Sequence, residues 1–84
     1  MNLGKYPEKH IVNHKVVTNK SIRAATGSCG CTSLEFDDNE FEFNWKLPTI
    51  PFQVQGDMRA AMSIDVIYKD NSKEIFHFNA TVTK

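Results

Sequence analysis

The residues with the clearest chemical potential are two cysteines in the sequence TGSCGCT, Cys29 and Cys31. One glycine separates them, and its conformational freedom lets both thiols turn toward a single ligand. Thiolates favour soft ions such as Cu(I) or Zn(II), but two sulfurs supply only half of a tetrahedral site. A metal site would therefore need His10, His14 or His77 to complete it.

The histidine spacing does not strengthen the case for a metal. The segment 10–17 has the composition of a strand, in which His10 and His14 share a face about 13 Å apart. We therefore favour a structural role, in which small thiols fill space beside the intervening glycine. A disulfide within the Cys-x-Cys pair is strained and is the least favoured interpretation. We expect no cofactor and no metal, and a soft-metal or thiol-redox module using Cys29 and Cys31 is the main alternative function.

Catalysis has little support in this sequence. A cysteine and a histidine could form a nucleophile and a base, but no motif marks a third, orienting group. The chain contains no phosphate-binding loop, dinucleotide fingerprint or G-x-S-x-G turn. Ten basic and ten acidic residues cancel to zero formal charge, which removes the basic excess that nucleic-acid binding needs. We expect neither an enzyme nor a nucleic-acid-binding protein.

Acidic residues are concentrated in the segment 34–45, which carries five carboxylates and no base. Residues 1–33 hold five bases and one acid, a net charge of +4. Opposed segments of this kind favour salt-sensitive, head-to-tail contact between copies. Asp37, Asp38 and Glu40 could bind a cation, but the spacing of a calcium-binding loop is absent, so a solvated turn is favoured over a cation site. Ordinary solvated loops are also the alternative to head-to-tail contact. The residues predicted to form a partner-binding acidic loop are Glu35, Asp37, Asp38 and Glu40.

The elements that position these groups are predicted to be strands. The segment 41–47 alternates apolar and polar residues, which places its apolar side chains on one face. The segments 62–68 and 75–83 alternate in the same way, and the polar residues 69–73 between them indicate an antiparallel hairpin. The residues predicted to face inward are Phe41, Phe43, Trp45, Leu47, Met62, Ile64, Val66, Tyr68, Phe76, Phe78, Ala80 and Val82. Shorter strands are predicted at 10–18, 21–26, 33–36 and 51–55.

These elements predict the fold class. Six or seven short strands with little helix favour an all-β fold, a small immunoglobulin-like antiparallel β-sandwich. With 84 residues the chain is one domain, 1–84, with residues 1–9 as an N-terminal arm. The aromatic residues expected in the core, with one or two available to a partner, are Phe36, Phe41, Phe43, Trp45, Phe52, Phe76 and Phe78.

A resemblance to a known family rests on Asn13, Ile22 and the motif Ser28-Cys29-Gly30-Cys31-Thr32. These residues resemble the signature of a bacterial domain family of unknown function that carries an S-C-G-C-T motif. That family is similar to the Hydin-type domains, which implies an immunoglobulin-type β-sandwich. The family usually has a Pro-Gly turn after the motif, whereas this chain has the acidic segment 34–45 there. The resemblance implies no catalytic residue.

The sequence favours a non-enzymatic structural module that binds other protein subunits within a multi-subunit assembly. A phage virion, with a head decoration or a neck or tail component, is an assembly that such a module would suit. The N-terminal residues lack the apolar stretch of a secretory signal, and no apolar run approaches the ~18 residues of a membrane span. We therefore expect synthesis in the cytoplasm and no membrane partner. A cytoplasmic adaptor or inhibitor of one protein is the second alternative.

Overall fold

The computed structural model describes residues 1–30 and 32–84. Seven strands account for most of this part of the chain, and none of it is helical. The strands are β1 (Asn2–Pro7), β2 (Ile11–Val17), β3 (Ile22–Gly27), β4 (Thr32–Asp37), β5 (Glu40–Lys46), β6 (Met58–Tyr68) and β7 (Lys73–Thr83). No helix in the described ranges is long and apolar enough to cross a membrane.

The strands form two sheets that pack face to face. One sheet has the order β1-β7-β6-β3 and the other has the order β2-β5-β4. All neighbouring strands are antiparallel except β1 and β7, which pair in parallel. In an immunoglobulin sandwich, a sheet that contains the second, fifth and fourth strands packs against a sheet that contains the third, sixth and seventh strands. The two sheets of this chain have the same division of these strands. The predicted all-β sandwich of six to seven strands is thereby confirmed, and among the described strands the parallel pair of β1 and β7 is the one departure from the predicted antiparallel pairing.

The core lies between the two sheets and is made by the alternating faces of β5, β6 and β7. Phe43 is 0% exposed, and its ring centroid lies 4.8 Å from that of Phe78. Apart from the half-buried Phe76, every residue predicted to face inward is buried. Alternation along each strand therefore gave the buried faces correctly, because successive side chains point to opposite sides of a sheet.

The predicted hairpin between residues 62 and 83 is confirmed as β6 and β7. Its turn contains Asn71 with a φ of 70°, a left-handed conformation that asparagine tolerates better than most residues. The Ser72 backbone N–H donates to Asp70 Oδ1 at 2.9 Å, which closes the turn through a side chain. These two residues explain why the polar segment reverses the chain at this point.

Two predicted segments differ in the structure. The strand predicted at 51–55 is wrong, because this segment is a turn in which the Val54 N–H donates to the Pro51 carbonyl at 2.9 Å. Residues 1–9, predicted as an arm, contribute β1 at the edge of the four-stranded sheet. Irregular pairing beside Gly4, whose φ is 108°, interrupts the alternation that would have marked this strand in the sequence.

Two aromatic residues expected in the core are instead exposed. Phe52 lies in the turn after β5 and is 92% exposed. Phe36 lies near the end of β4, at the edge of its sheet, and is 44% exposed. An edge strand has a neighbour on one side only, so the side chains near its end are incompletely covered. The remaining aromatic residues of the prediction are buried or half-buried.

Candidate interaction site

The cysteine segment lies in the connection between β3 and β4. Cys29 is disulfide-bonded and half-buried, so it does not fill space as a free thiol, which was the favoured interpretation. Cys31 lies outside the described residues. Around Cys29 the loop is closed by backbone hydrogen bonds, with the Thr32 N–H donating to the Cys29 carbonyl at 3.2 Å. A soft-metal site would require Cys29 as a thiolate, whereas a thiol-redox couple includes the disulfide as its oxidised form.

The three histidines occupy separate environments. His10 precedes β2 and stacks on Tyr6 with a centroid distance of 4.9 Å. His14 lies within β2, half-buried against the rings of Phe43 and Phe78. His77 is exposed on β7. Across residues 1–30 and 32–84, no three His, Cys, Asp or Glu side chains are grouped so that they could hold a metal ion.

The predicted acidic residues lie on and beside the β4–β5 hairpin. Glu35 pairs across the strands with Glu42, and Asp37 pairs with Glu40. Because the alternate residues of β5 are buried in the core, these four carboxylates occupy the outer face of the three-stranded sheet. We call Glu35, Asp37, Glu40 and Glu42 the acidic face. Glu42 was counted in the acidic segment of the sequence but not among the predicted binding residues.

Asp38 is the one predicted member that does not belong to the acidic face. It lies in the turn between β4 and β5 with a φ of 40°. Its Oδ1 accepts a hydrogen bond from the Ser21 hydroxyl at 2.7 Å, which directs the carboxylate toward the β2–β3 loop. The Ile22 N–H also donates to the Asp38 carbonyl. Asp38 therefore anchors the turn that presents its acidic neighbours.

The charges of the acidic face are largely uncompensated. Within the described chain, the face makes one ion pair, between Lys15 Nζ and Glu40 Oε1 at 3.2 Å, and both side chains are substantially solvent-exposed. An exposed pair of this kind contributes only about 0–1 kcal/mol. Like charges directly opposite one another on neighbouring strands destabilise a sheet by roughly 0.2–1 kcal/mol per pair. Lys15 on β2 lies directly opposite Glu42 and offsets part of this repulsion, so the two β4–β5 pairs are the unfavourable part of the acidic face.

A groove of about 510 Å³ lies at the opposite end of the sandwich. It opens between the end of β5 and the start of β6, over a floor that includes Trp45 and Met58. Three cations line it, and none of them makes an ion pair in the described part of the chain. They are Lys9, Lys46 and Arg59. We call this feature the cationic groove.

Sequence reasoning missed the cationic groove entirely. Lys9 follows β1, Lys46 ends β5 and Arg59 lies in β6, so three separate elements bring the charges together. No local pattern in the sequence links residues at these positions. The acidic face was easier to find, since Glu40 and Glu42 are two residues apart on one strand and share a face by alternation.

Two carboxylates and a buried phenol lie at or beside the β6–β7 turn: Asp70 lies in the turn, Tyr68 ends β6 and Glu74 lies in β7. Asp70 accepts hydrogen bonds from the Ser72 hydroxyl and backbone N–H, and its Oδ2 lies 3.1 Å from Lys20 Nζ. These contacts lower the pKa of Asp70 to about 2. Burial raises the pKa of Tyr68 to about 12, assisted by the hydrogen bond and charge of Glu74 and by the charge of Asp70.

We expect Tyr68 to link stability to alkaline pH. Its folded pKa of about 12 lies above the ordinary value of 10.0, so the fold favours the neutral phenol. This contribution to stability is present below pH 10 and is lost as the pH rises toward 12. Tyrosinate absorbance in a Tyr6→Phe background isolates the titration of Tyr68, because the chain has two tyrosines.

The substitution Glu74→Gln should lower the midpoint of this titration, although burial, the largest cause, keeps it above 10. A wild-type midpoint near 10 would contradict the placement of the Tyr68 hydroxyl.

Comparison of the chain with protein-family models, with curated proteins and with solved structures finds no match. The geometry of the two surfaces is thus the main guide to their chemistry. Among the residues that the structure describes, one end of the sandwich carries four carboxylates of which only Glu40 is ion-paired, and the other carries three cations without an ion pair beside an apolar floor. Such surfaces suit charge-complementary contact with proteins.

Proposed function

We propose that this chain is a non-enzymatic assembly module that binds other protein subunits within a larger complex, and that the acidic face is a binding surface. The resemblance to the S-C-G-C-T family is consistent with a compact module but adds no binding partner. The proposal rests on one observation, the two opposed pairs of like charge, Glu35 with Glu42 and Asp37 with Glu40.

These pairs support a binding role because they lower the stability of the free chain. A surface without a function would gain stability by replacing one member of each pair with a lysine. A basic partner surface would supply the missing charges from outside and would turn the repulsion into a favourable contact. The proposed partner surface is therefore basic and binds more weakly as the salt concentration rises.

We further propose that the larger complex is a phage virion. A head decoration or a neck or tail component is the kind of accessory subunit that a 9.6 kDa β-sandwich suits. This identity rests on analogy between small modules and not on a chemical group of the site. The assembly proposal does not depend on it.

The test is to recover the tagged chain from the cells or particles in which it is naturally made. We expect the wild type in a complex of fixed stoichiometry, and we expect Glu35→Lys/Asp37→Lys to be recovered without the other subunits. The matched control is Asp57→Lys/Asp65→Lys, which reverses the same number of exposed carboxylates outside the acidic face. This control should retain the complex.

Two results would count against the proposal. One is recovery of the wild type as a free 9.6 kDa chain. The other is equal retention of the complex by the acidic-face variant and the control, which would exclude the acidic face as the binding surface. Thermal unfolding of each variant separates loss of binding from loss of fold. Charge reversal at Glu35 should not lower the unfolding midpoint, because it replaces a repulsive pair by an attractive one.

A further inference from the structure

We propose that the cationic groove binds the acidic β4 edge of a second copy of this chain, so that copies join head to tail. This inference rests on the proposed function, since it names a partner for the acidic face. It also gives a role to the groove, which the proposed function leaves unused.

The first argument is charge complementarity. Lys9, Lys46 and Arg59 line the groove without a carboxylate among the described lining residues. On the acidic face, three of the four carboxylates have no ion pair in the described chain, and only Glu40 is paired with a lysine. Those three are Glu35, Asp37 and Glu42. Three unpaired cations at one end thus correspond to three unpaired carboxylates at the other.

The second argument is the match of apolar groups. Phe36 lies between Glu35 and Asp37 on β4 and is 44% exposed. The groove is open and mainly apolar, with the buried Trp45 beneath it and the half-buried Met58 beside it, and its volume of about 510 Å³ leaves room for an aromatic side chain. By strand alternation Phe36 points to the opposite side of β4 from Glu35 and Asp37, so a groove that receives this edge would contact the ring on one side and the carboxylates on the other. Burial of Phe36 would add a hydrophobic contribution that charge alone does not supply.

The third argument is that one copy cannot satisfy itself. Glu40 and Lys46 are six residues apart on β5, which places them about 20 Å from one another. The two surfaces lie toward opposite ends of a molecule whose longest dimension is 46 Å. Complementary surfaces on opposite ends form a heterologous contact, which closes into a ring or extends as a filament. A second copy therefore carries the complementary surfaces: its acidic face can bind the groove of one neighbour, and its groove can bind the acidic face of the next.

The test is the self-association of the purified chain by sedimentation equilibrium. At roughly 0.01 M salt the screening length is about 30 Å, and at roughly 1 M salt it is about 3 Å. We expect multiples of the 9.6 kDa mass at low salt and a shift toward the monomer at high salt. A wild type that remains monomeric at low salt and high protein concentration would overturn the inference.

Two charge-reversed variants test the surfaces. The acidic-edge variant is Glu35→Lys/Asp37→Lys, and the groove variant is Lys46→Glu/Arg59→Glu. Each should lower the association constant at least about tenfold, because like charges then meet across the contact. The matched control for the groove, Lys69→Glu/Lys73→Glu, reverses two exposed lysines at the β6–β7 turn and should associate like the wild type.

A mixture of the two variants gives the sharpest result. The groove of the acidic-edge variant is unchanged and should bind the unchanged acidic face of the groove variant. The reversed groove should also bind the reversed edge, so the mixture should associate although each variant alone does not. A mixture that stays monomeric would overturn the inference, and recovered association shows that both variants are folded. If either variant fails to fold, the neutral pairs Glu35→Gln/Asp37→Asn and Lys46→Gln/Arg59→Gln should weaken the association and its salt dependence.

The same experiments distinguish failure of head-to-tail contact from failure of the proposed function. A wild type that is monomeric by itself, yet is recovered in a complex that Glu35→Lys/Asp37→Lys abolishes, overturns head-to-tail contact and leaves the assembly module standing. An acidic protein bound in the groove of such a monomer would be a different occupant and would likewise overturn the inference. Self-association through both surfaces, with no larger complex in the natural source, would support the inference and limit the module to copies of itself.

Discussion

The substitution Phe43→Ala should lower the free energy of unfolding by about 3–5 kcal/mol. Phe43 is 0% exposed and packs against the Phe78 ring in the centre of the sandwich. Removal of the ring loses its transfer free energy and leaves a cavity that the two sheets cannot close without shifting. A domain of 84 residues has a total stability of roughly 4–13 kcal/mol, so this one change removes a large share of it.

The measurement is urea unfolding, followed by the fluorescence of Trp45, the single tryptophan. The midpoint should fall while the slope of the free energy with urea stays nearly constant, because the surface exposed on unfolding barely changes. The matched control is Phe52→Ala, which removes the same ring from a site that is 92% exposed. We expect the control to lie within about 0.5 kcal/mol of the wild type. Equal losses in the two variants would contradict the placement of the core.

The substitution Thr18→Val should cost about 1–3 kcal/mol, although the two side chains have nearly the same shape. Thr18 is 7% exposed, and its hydroxyl lies 2.7 Å from the Lys20 carbonyl and 2.9 Å from the Asn39 carbonyl. Valine cannot donate to either oxygen, so one partly buried acceptor loses its hydrogen bond. The Thr18 N–H still donates to the Asn39 carbonyl, which leaves the Lys20 carbonyl as the group most affected.

The same substitution should loosen the turn that presents the acidic face. The β2–β3 loop and the β4–β5 turn are joined by Thr18 and by the hydrogen bond from the Ile22 N–H to the Asp38 carbonyl. Faster hydrogen exchange at Ile22 should therefore accompany the loss of stability. The control is Thr26→Val, the same change at an exposed position of β3, which should leave both quantities nearly unchanged. Equal effects at the two positions would argue against the hydroxyl contacts of Thr18.

The fold carries two charged surfaces, and local spacing in the sequence predicts the acidic face but not the cationic groove. Glu40 and Glu42 alternate with the buried Phe41 and Phe43, so their shared outer face could be predicted from local spacing. The same spacing could not show that Asp38 turns away to Ser21, because that hydrogen bond depends on where another loop lies. Nor could it show that Lys9 and Arg59 meet at one groove.

The three places where prediction failed have identifiable physical causes. The N-terminal strand pairs with β7, with Asn2 opposite Asn79, so its partner lies at the far end of the chain. The segment 51–55 contains apolar residues, but Pro51 has no N–H for a ladder and the chain turns there. Phe36 alternates as a core residue would, yet its strand is at a sheet edge. The outcomes for β1 and Phe36 depend on which strands become neighbours, whereas the turn at 51–55 follows from Pro51 itself.

The sequence by itself determined the all-β class, the β6–β7 hairpin, the buried faces of the central strands and the concentration of acid on one segment. Those features follow from the two-residue period of a strand and from turn chemistry, which act between adjacent residues. Only the tertiary structure decided the parallel pairing of β1, the exposure of Phe36 and the cationic groove. These features depend on which strands become neighbours, because sheet order and sandwich packing bring together residues that no local pattern connects.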